Sequence, residues 1–211
     1  MPATAQRARP AASPWGKLFN LPNQLTSLRL LLSVVLFALM AWEHYWSSFV
    51  LFVIAAGTDW LDGYYARKYG QVTTLGRILD PFADKVIICG TFIFLTVAPG
   101  MLKEWWGLKA WMVVVIVGRE LLVTALRSFI EERGSDFSAK MSGKLKMVLQ
   151  CVAAGACFVY LADVAHAGAT STAPAAWIWW SMVLSVWSAV LLTVYSGVVY
   201  VWFAVKLLHQ E

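Results

Sequence analysis

Charged side chains are scarce in this sequence of 211 residues. Asp, Glu, Lys and Arg make up only 14% of it, whereas they account for about 25% of a typical soluble domain. Hydrophobic residues reach 60%, and the mean hydropathy is +0.65. This scarcity of charge excludes a water-soluble globule and predicts an all-α, polytopic integral membrane protein.

Cysteine and histidine are also rare, with three residues of each. The cysteines lie inside apolar stretches, where they behave as small hydrophobic residues, so a disulfide framework is not expected. The histidines have no regular spacing to one another or to acidic residues, and we interpret them as surface residues. These six residues are Cys89, Cys151, Cys157, His44, His166 and His209.

Long apolar windows occur six times and predict six transmembrane helices. They cover approximately residues 25–42, 46–66, 78–98, 108–130, 145–162 and 175–205. Residues 163–176 have the composition of a loop. We interpret residues 1–13 as a disordered tail and residues 14–211 as one six-helix domain, which opens with a short interfacial helix at 14–19.

The basic residues are distributed unevenly between the two sides of these predicted helices. Only Lys103 and Lys109 lie in the connections that follow the first, third and fifth helices. By the positive-inside rule, the opposite side, which carries both termini, faces the cytoplasm. This topology and anionic headgroups explain the net charge of +5, so no nucleic-acid partner is expected.

Acidic residues concentrate around the ends of the second and third predicted helices. Asp59 and Asp62 are three residues apart, and Asp80 and Asp84 are four apart, so each pair shares one face of its helix. Four carboxylates close together near lipid repel one another unless a cation lies among them. Because the ligands are oxygens, with no His or Cys nearby, the set favours two Mg²⁺ or Mn²⁺ ions over Zn²⁺.

Two ions held by carboxylates are typical of phosphoryl transfer, in which they stabilise the attacking and leaving oxygens. A second interpretation is a divalent-cation carrier or channel with acidic residues along its pathway. The acidic residues lie at helix ends rather than near the middle of the membrane. This position favours the enzyme over the carrier.

Small residues accompany the acidic ones. Gly63, Ala66 and Gly76 would let a ligand approach the backbone, and Arg67 offers guanidinium donors to a diphosphate. Taken alone, the small residues are better explained by close helix packing. The ligand-binding interpretation therefore depends on the acidic residues beside them.

The segment Asp59-x2-Asp62-Gly63-x2-Ala66-Arg67-x8-Gly76-x3-Asp80-x3-Asp84 resembles the complete signature of the CDP-alcohol phosphatidyltransferase family. The resemblance implies a six-helix membrane enzyme, usually a homodimer. Such an enzyme transfers a phosphatidyl group from a CDP-linked lipid to an alcohol and releases CMP.

The same resemblance implies a role for each residue of the signature. Asp84 would contact the second metal and act as the general base on the incoming hydroxyl. The implied metal ligands are Asp59, Asp62, Asp80 and Asp84, and the implied CDP-binding residues are Gly63, Ala66, Arg67 and Gly76.

Three further stretches are similar to one branch of that family, the bacterial phosphatidylglycerophosphate synthases. They are residues 20–29 (NLPNQLTSLR), 118–127 (GRELLVTALR) and 143–150 (GKLKMVLQ). The branch implies CDP-diacylglycerol as the donor and sn-glycerol 3-phosphate as the acceptor. Inositol phosphate, serine and phosphatidylglycerol stay open as acceptors, because the acidic signature does not identify the alcohol.

An anionic acceptor requires cations beside the metal site. Arg119 and Arg127 lie eight residues apart in an otherwise apolar helix, within a quarter turn of each other. The alternative is a structural role, either as salt bridges, with Glu120 as the partner of Arg127, or through snorkelling to the membrane surface.

Further candidates for the acceptor phosphate lie in the first and fifth predicted helices. Lys144 and Lys146 point to opposite sides of a regular helix, so at least one of them is expected to contact headgroups. Lys140 lies one turn before Lys144 and is an alternative to Lys146. Arg29 and Thr26 complete the predicted polar pocket, although helix capping explains Thr26 equally well.

Overall fold

A computed structural model of the protein describes the backbone of residues 21–69, 74–132, 141–170 and 174–208. The predicted tail at 1–13 and the predicted interfacial helix at 14–19 lie outside these ranges. For some residues within these ranges, only the backbone is described and not the side chain. They are residues 21–23, 25, 58–69, 74–81, 129, 131–132, 141–144, 170 and 207–208.

The regular structure of the described ranges is entirely α-helical, which confirms the predicted all-α fold. Six long helices coincide with the six apolar windows, and a seventh, very short helix was not expected. The helices are α1 (Leu21–Ala41), α2 (Tyr45–Tyr69), α3 (Thr74–Val97), α4 (Pro99–Leu102), α5 (Ala110–Glu132), α6 (Met141–Thr170) and α7 (Ala176–Leu208).

The long helices pack side by side in a ring. α1 contacts α2 and α3, α6 contacts α2 and α7, and α5 contacts α3 and α7. α3 also contacts α6, and this contact divides the ring into two four-helix halves. One half consists of α3, α5, α6 and α7, and it contains Asp84, Arg119, Glu120, Arg127 and Lys146 of the candidate site.

Apolar side chains occupy both the interior and the exterior of this ring. Phe52, Phe92 and Phe158 are among the largest fully buried side chains, whereas Val114 and Leu184 are exposed. A helix that is apolar around its whole circumference is suited to lipid rather than to water. The exterior is therefore that of a membrane protein.

Two helices in the described part of the chain are long and apolar enough to cross a membrane. The qualifying segments are Leu145–Ala169 in α6 and Ala176–Lys206 in α7, and shorter apolar segments are Thr26–Ala41 and Tyr45–Gly57. α5 carries three ionisable residues in its second half, which lower its hydropathy. The six helices are thus observed, while six membrane crossings stay a prediction.

A tight turn of residues 42–44 reverses the chain between α1 and α2. Glu43 adopts a left-handed backbone conformation with φ of 59°. The His44 amide donates to the Leu39 carbonyl at 2.9 Å, and the Glu43 amide donates to the Met40 carbonyl at 3.0 Å. This is the Schellman pattern, which satisfies the last carbonyls of α1 and lets α2 return along it.

Helix α6 is longer than the sequence indicated. The predicted window ended at residue 162 and was followed by a loop at 163–176, but α6 continues to Thr170. The prediction was wrong because this stretch is rich in alanine, which has the highest helix propensity, and has no proline before Pro174. Asp163 Oδ2 accepts a hydrogen bond from the Ala175 amide at 2.8 Å, which ties α6 to the first turn of α7.

The close approach of α3 to α1 provides a test of the packing. A Cβ atom on Gly90 would lie 2.2 Å from Cζ of Phe37, whose ring stacks on Phe94 with centroids 5.1 Å apart. We expect Gly90→Ala to displace this ring and to lower the free energy of unfolding by about 1–3 kcal/mol. Thermal unfolding of the protein in detergent measures the change.

Gly168→Ala is the matched control, because no atom lies within 4 Å of a Cβ built at that helical position. Its melting temperature should equal or slightly exceed that of the wild type. A Gly90→Ala protein that melts with the wild type would contradict the α1–α3 packing.

Candidate active site

The backbone places the four predicted acidic ligands on two consecutive helices. Asp59 and Asp62 lie on α2, and Asp80 and Asp84 lie on α3. Since both segments are helical, the two acidic pairs each share a helix face. Among the signature residues, the side chains outside the description are those of Asp59, Asp62, Gly63, Ala66, Arg67, Gly76 and Asp80. The roles of those seven residues stay predictions.

The side chain of Asp84 is described, and it is half-buried on α3. It interacts electrostatically with Lys146 of α6 and with Cys89, which lies further along α3. Glu120 of α5 interacts with the same cysteine. Two carboxylates and two ammonium groups, those of Asp84, Glu120, Lys85 and Lys146, therefore act electrostatically on Cys89, a residue with no functional signal in the sequence.

Glu120 is the centre of an ionic cluster between helices. Its Oε1 accepts a hydrogen bond from Lys146 Nζ and lies 3.6 Å from Nη1 of Arg119. Gln150 Nε2 donates to the same oxygen at 3.4 Å. The three charged side chains are at most 13% exposed, so their interaction is little screened by water.

The partners of Glu120 differ from the predicted one. The sequence suggested a pair with Arg127 on the same helix, but the described contacts of Glu120 are with Lys146, Arg119 and Gln150. Spacing along one helix identifies partners on that helix only. It does not show that α6 brings an ammonium group and an amide to the same carboxylate.

Helix α7 takes part in the site, which the sequence did not predict. Arg119 Nε donates a hydrogen bond to Ser196 Oγ at 3.2 Å, and the guanidinium lies 5.2 Å from the centre of the Tyr200 ring. A Cβ on Gly197 would come within 3.2 Å of Arg119 Cγ. A small residue at 197 therefore leaves room for the arginine to lie along α7.

Arg127 lies two turns beyond Arg119 on α5 and interacts electrostatically with it. Its Nε is buried and has no hydrogen-bond partner among the described residues. The charge of Arg127 thus acts on Arg119, for which Glu120 is the neighbouring anion. Such an arrangement leaves positive charge available to an anionic ligand.

Two predicted pocket residues lie on α1. Thr26 and Arg29 are both buried. Thr26 lies well inside α1, which begins at Leu21, so the capping interpretation was wrong. Lys140 lies outside the described residues, as does the side chain of Lys144, whereas Lys146 is buried against Glu120.

Comparison with known proteins identifies the family. Residues 19–195 match the family described as CDP-alcohol phosphatidyltransferase. The chain belongs to the CDP-alcohol phosphatidyltransferase family. A relative from Bacillus subtilis is 36% identical over 68% of this chain and 78% of its own length. It is named CDP-diacylglycerol–glycerol-3-phosphate 3-phosphatidyltransferase.

Two further relatives carry the same name. The protein from Blochmanniella floridana is 30% identical over 92% of this chain and 95% of its own length. The protein from Escherichia coli is 34% identical over 64% of this chain and 74% of its own length. The similarity therefore extends well beyond the acidic segment of α2 and α3.

The acidic segment fits the divalent metal that CDP-alcohol phosphatidyltransferases use. The stretch between residues 58 and 86 has no His or Cys, so its potential metal ligands are the carboxylates of its aspartates. Hard cations prefer such oxygen ligands. Asp84, the described member of the set, is half-buried and so accessible to an ion. Among the described side chains no three potential ligands meet, and the other three aspartates lie outside that group.

The ionic cluster makes a prediction about stability. Glu120→Met leaves Lys146 and Arg119 buried without their counter-charge, so we expect the free energy of unfolding to fall by about 3–5 kcal/mol. Combining it with Lys146→Met removes both charges and should restore much of the loss. A double-mutant cycle of unfolding in detergent measures the coupling.

Glu43→Met is the matched control, because Glu43 is an exposed carboxylate in the α1–α2 turn. It should change the stability by less than about 0.5 kcal/mol. Strictly additive effects of the Glu120 and Lys146 substitutions would contradict the direct pairing of the two side chains.

Proposed function

We propose that this protein transfers the phosphatidyl group of CDP-diacylglycerol to sn-glycerol 3-phosphate, giving phosphatidylglycerophosphate and CMP. The observation that carries the proposal is the electrostatic interaction of Asp84 with Lys146, which is buried against Glu120, with Arg119 on the same carboxylate. A proton acceptor is thus within electrostatic reach of buried cations. The shared name of the relatives supports the same donor and acceptor.

In the proposed reaction, Asp84 accepts the proton of the acceptor hydroxyl as its oxygen attacks the phosphorus that carries diacylglycerol. The new P–O bond forms in line with the bond to CMP, which breaks as CMP leaves with its electron pair. Bound divalent metals, proposed as two Mg²⁺ or Mn²⁺ ions, would neutralise the diphosphate and the departing CMP. Direct attack requires no covalent intermediate on the enzyme.

The other signature residues, which lie on α2 and α3, are assigned the roles that the family resemblance implies. Asp59, Asp62 and Asp80 are proposed to hold the metals together with Asp84. The residues proposed to hold the CDP portion are Gly63, Ala66, Arg67 and Gly76. Small residues there allow the nucleotide to approach the helix backbone, and the arginine offers paired donors to the diphosphate.

The acceptor phosphate is proposed to bind between α5 and α6. Lys146 and Arg119 are both buried, and Arg127 carries a buried Nε with no described hydrogen-bond partner. Three cations against two nearby carboxylates, Glu120 and Asp84, leave a net positive site to which a phosphate dianion would bind.

Three further side chains are proposed for the same pocket. Arg29 and Thr26, both buried on α1, would reach it across α3, on which α1 packs. Lys144 is the third, and Lys140, one turn before Lys144, is the alternative to Lys146. Lys146 is buried among the charged side chains of α5 and is proposed as the main phosphate ligand from α6.

The membrane arrangement is proposed from the six apolar windows and from the uneven distribution of the basic residues. Six helices cross the bacterial cytoplasmic membrane, with the active site and both termini facing the cytoplasm, where glycerol 3-phosphate and CMP are soluble. Membrane lipids surround the apolar exterior, and the enzyme acts as a homodimer, as the family resemblance implies.

The acceptor assignment is tested with purified protein and labelled CDP-diacylglycerol. With Mg²⁺ or Mn²⁺ we expect CMP release and a phosphatidyl product with glycerol 3-phosphate, and little product with serine, inositol phosphate or phosphatidylglycerol. EDTA should abolish turnover, and added Mg²⁺ or Mn²⁺ should restore it.

Two results would contradict the proposal in different ways. Product from a non-phosphorylated alcohol alone would show that the acceptor assignment is wrong. Divalent-cation flux into liposomes without CMP release would favour the carrier interpretation.

The roles of two acidic residues on α3 are separable. Asp84→Asn should retain part of the Mn²⁺ binding but reduce turnover by about 10²-fold or more, because a general base contributes that much. Asp80→Asn should weaken both metal binding and turnover. Mn²⁺ titration by electron paramagnetic resonance and CMP release measure the two properties.

Asp163→Asn is the control, because Asp163 lies near the other end of α6 and its amide replacement keeps an oxygen for the Ala175 amide. Its activity and metal binding should match the wild type. Near-normal turnover of both Asp84→Asn and Asp80→Asn would remove the basis for the mechanism.

A further inference from the structure

Helix α7 contributes two fully buried hydroxyl groups to the interface with α5 and α6. They belong to Thr193 and Ser196, in a helix that is mostly apolar. Ser196 Oγ donates to the Thr193 carbonyl at 3.0 Å and accepts from Arg119 Nε at 3.2 Å. One turn of α7 thus fixes the position of the arginine.

Gln150 of α6 connects the same turn to Glu120. Its Nε2 donates to Thr193 Oγ1 and to Glu120 Oε1, in both cases at 3.4 Å. These are long hydrogen bonds, but the side chain is only 2% exposed, and a buried amide without partners is costly. The amide therefore holds a carboxylate of α5 against a hydroxyl of α7.

The bond from Gln150 limits what Glu120 can do. The carboxylate oxygen that accepts from Gln150 is the one that faces Lys146 and Arg119. Without the amide, that oxygen would have only cations as described partners and would pair with them more strongly. A phosphate that binds to the same cations would then have to displace a stronger competitor.

We propose that Gln150, anchored on Thr193, is a positioning residue that holds Glu120 so that Lys146 and Arg119 stay available to the phosphate of the acceptor. This inference rests on the proposed function. Gln150 itself contacts neither substrate, and its effect passes through Glu120. Selectivity for a phosphorylated acceptor therefore depends on a contact between α6 and α7.

Steady-state kinetics of three variants test the proposal. Gln150→Met removes the amide but keeps an unbranched side chain of similar size, and Thr193→Val removes the hydroxyl with almost no change of shape. Each should raise the KM for glycerol 3-phosphate by roughly 5- to 30-fold, with the KM for CDP-diacylglycerol unchanged. Thr193→Ser keeps the hydroxyl and should behave as the wild type.

The double variant supplies a readout that a general packing role would not give. Because both residues act through one chain of hydrogen bonds, Gln150→Met combined with Thr193→Val should raise the acceptor KM no further than Gln150→Met alone. Glycerol 3-phosphate should also stabilise these variants less than the wild type in thermal unfolding with EDTA present, where no turnover occurs.

The outcomes separate this inference from the proposed function. If the wild type does not accept glycerol 3-phosphate, the proposed function fails and this inference fails with it. If the wild type accepts it but both single variants keep the wild-type acceptor KM, the positioning role alone is wrong. Equal increases in both KM values, together with a lower melting temperature, would assign Gln150 to packing and also overturn the inference.

Discussion

The arrangement of the buried charged residues depends on the carboxylate of Glu120. It lies between the ammonium group of Lys146 and the guanidinium of Arg119, in a bundle whose other contacts are mostly apolar. Removing charges from water is costly, and only close, well-oriented pairing offsets that cost. α5 and α6 must therefore keep a fixed relative position, and α7 adds the hydroxyls that complete the pairing.

This constraint divides the proposed site into two parts. The acidic residues on α2 and α3 would bind the metals and the nucleotide, which any reaction of the family requires. The cations on α5 and α6 would receive the phosphate of one particular acceptor. Asp84 lies where the two parts meet, since it belongs to α3 and interacts electrostatically with Lys146.

The fold followed from the sequence because hydropathy measures the property that places a helix in lipid. All six apolar windows became long helices, and the one large error in length was the end of α6, where alanines extended the helix to Thr170. The four aspartates lie on consecutive helices, α2 and α3, as the spans predicted, while their role as metal ligands stays a prediction. The partners of Glu120 were not predicted, because a pattern along one helix does not show which side chain a neighbouring helix brings to it.

The contribution of α7 was the hardest feature to predict, and the reason lies in how hydroxyl groups behave in helices. Ser181 and Ser185 each donate to the carbonyl three residues earlier, which satisfies the hydroxyl within its own helix. Ser196 makes the same local bond but also accepts one from Arg119. In composition the three serines are equivalent, and each scarcely changes the hydropathy of the helix.

These serines therefore differ in one respect: the hydroxyl oxygen of Ser196 also accepts a hydrogen bond from another helix. Such a hydrogen bond becomes visible only when the helices are packed, because its donor, Arg119, lies 77 residues away in the chain. A local backbone bond makes a serine tolerable in lipid without giving it a role. A serine of α7 contributes to the site only where a buried cation of α5 reaches it. Gly197 allows this approach, because a larger residue there would crowd Arg119, and a glycine in an apolar helix does not by itself indicate such a contact.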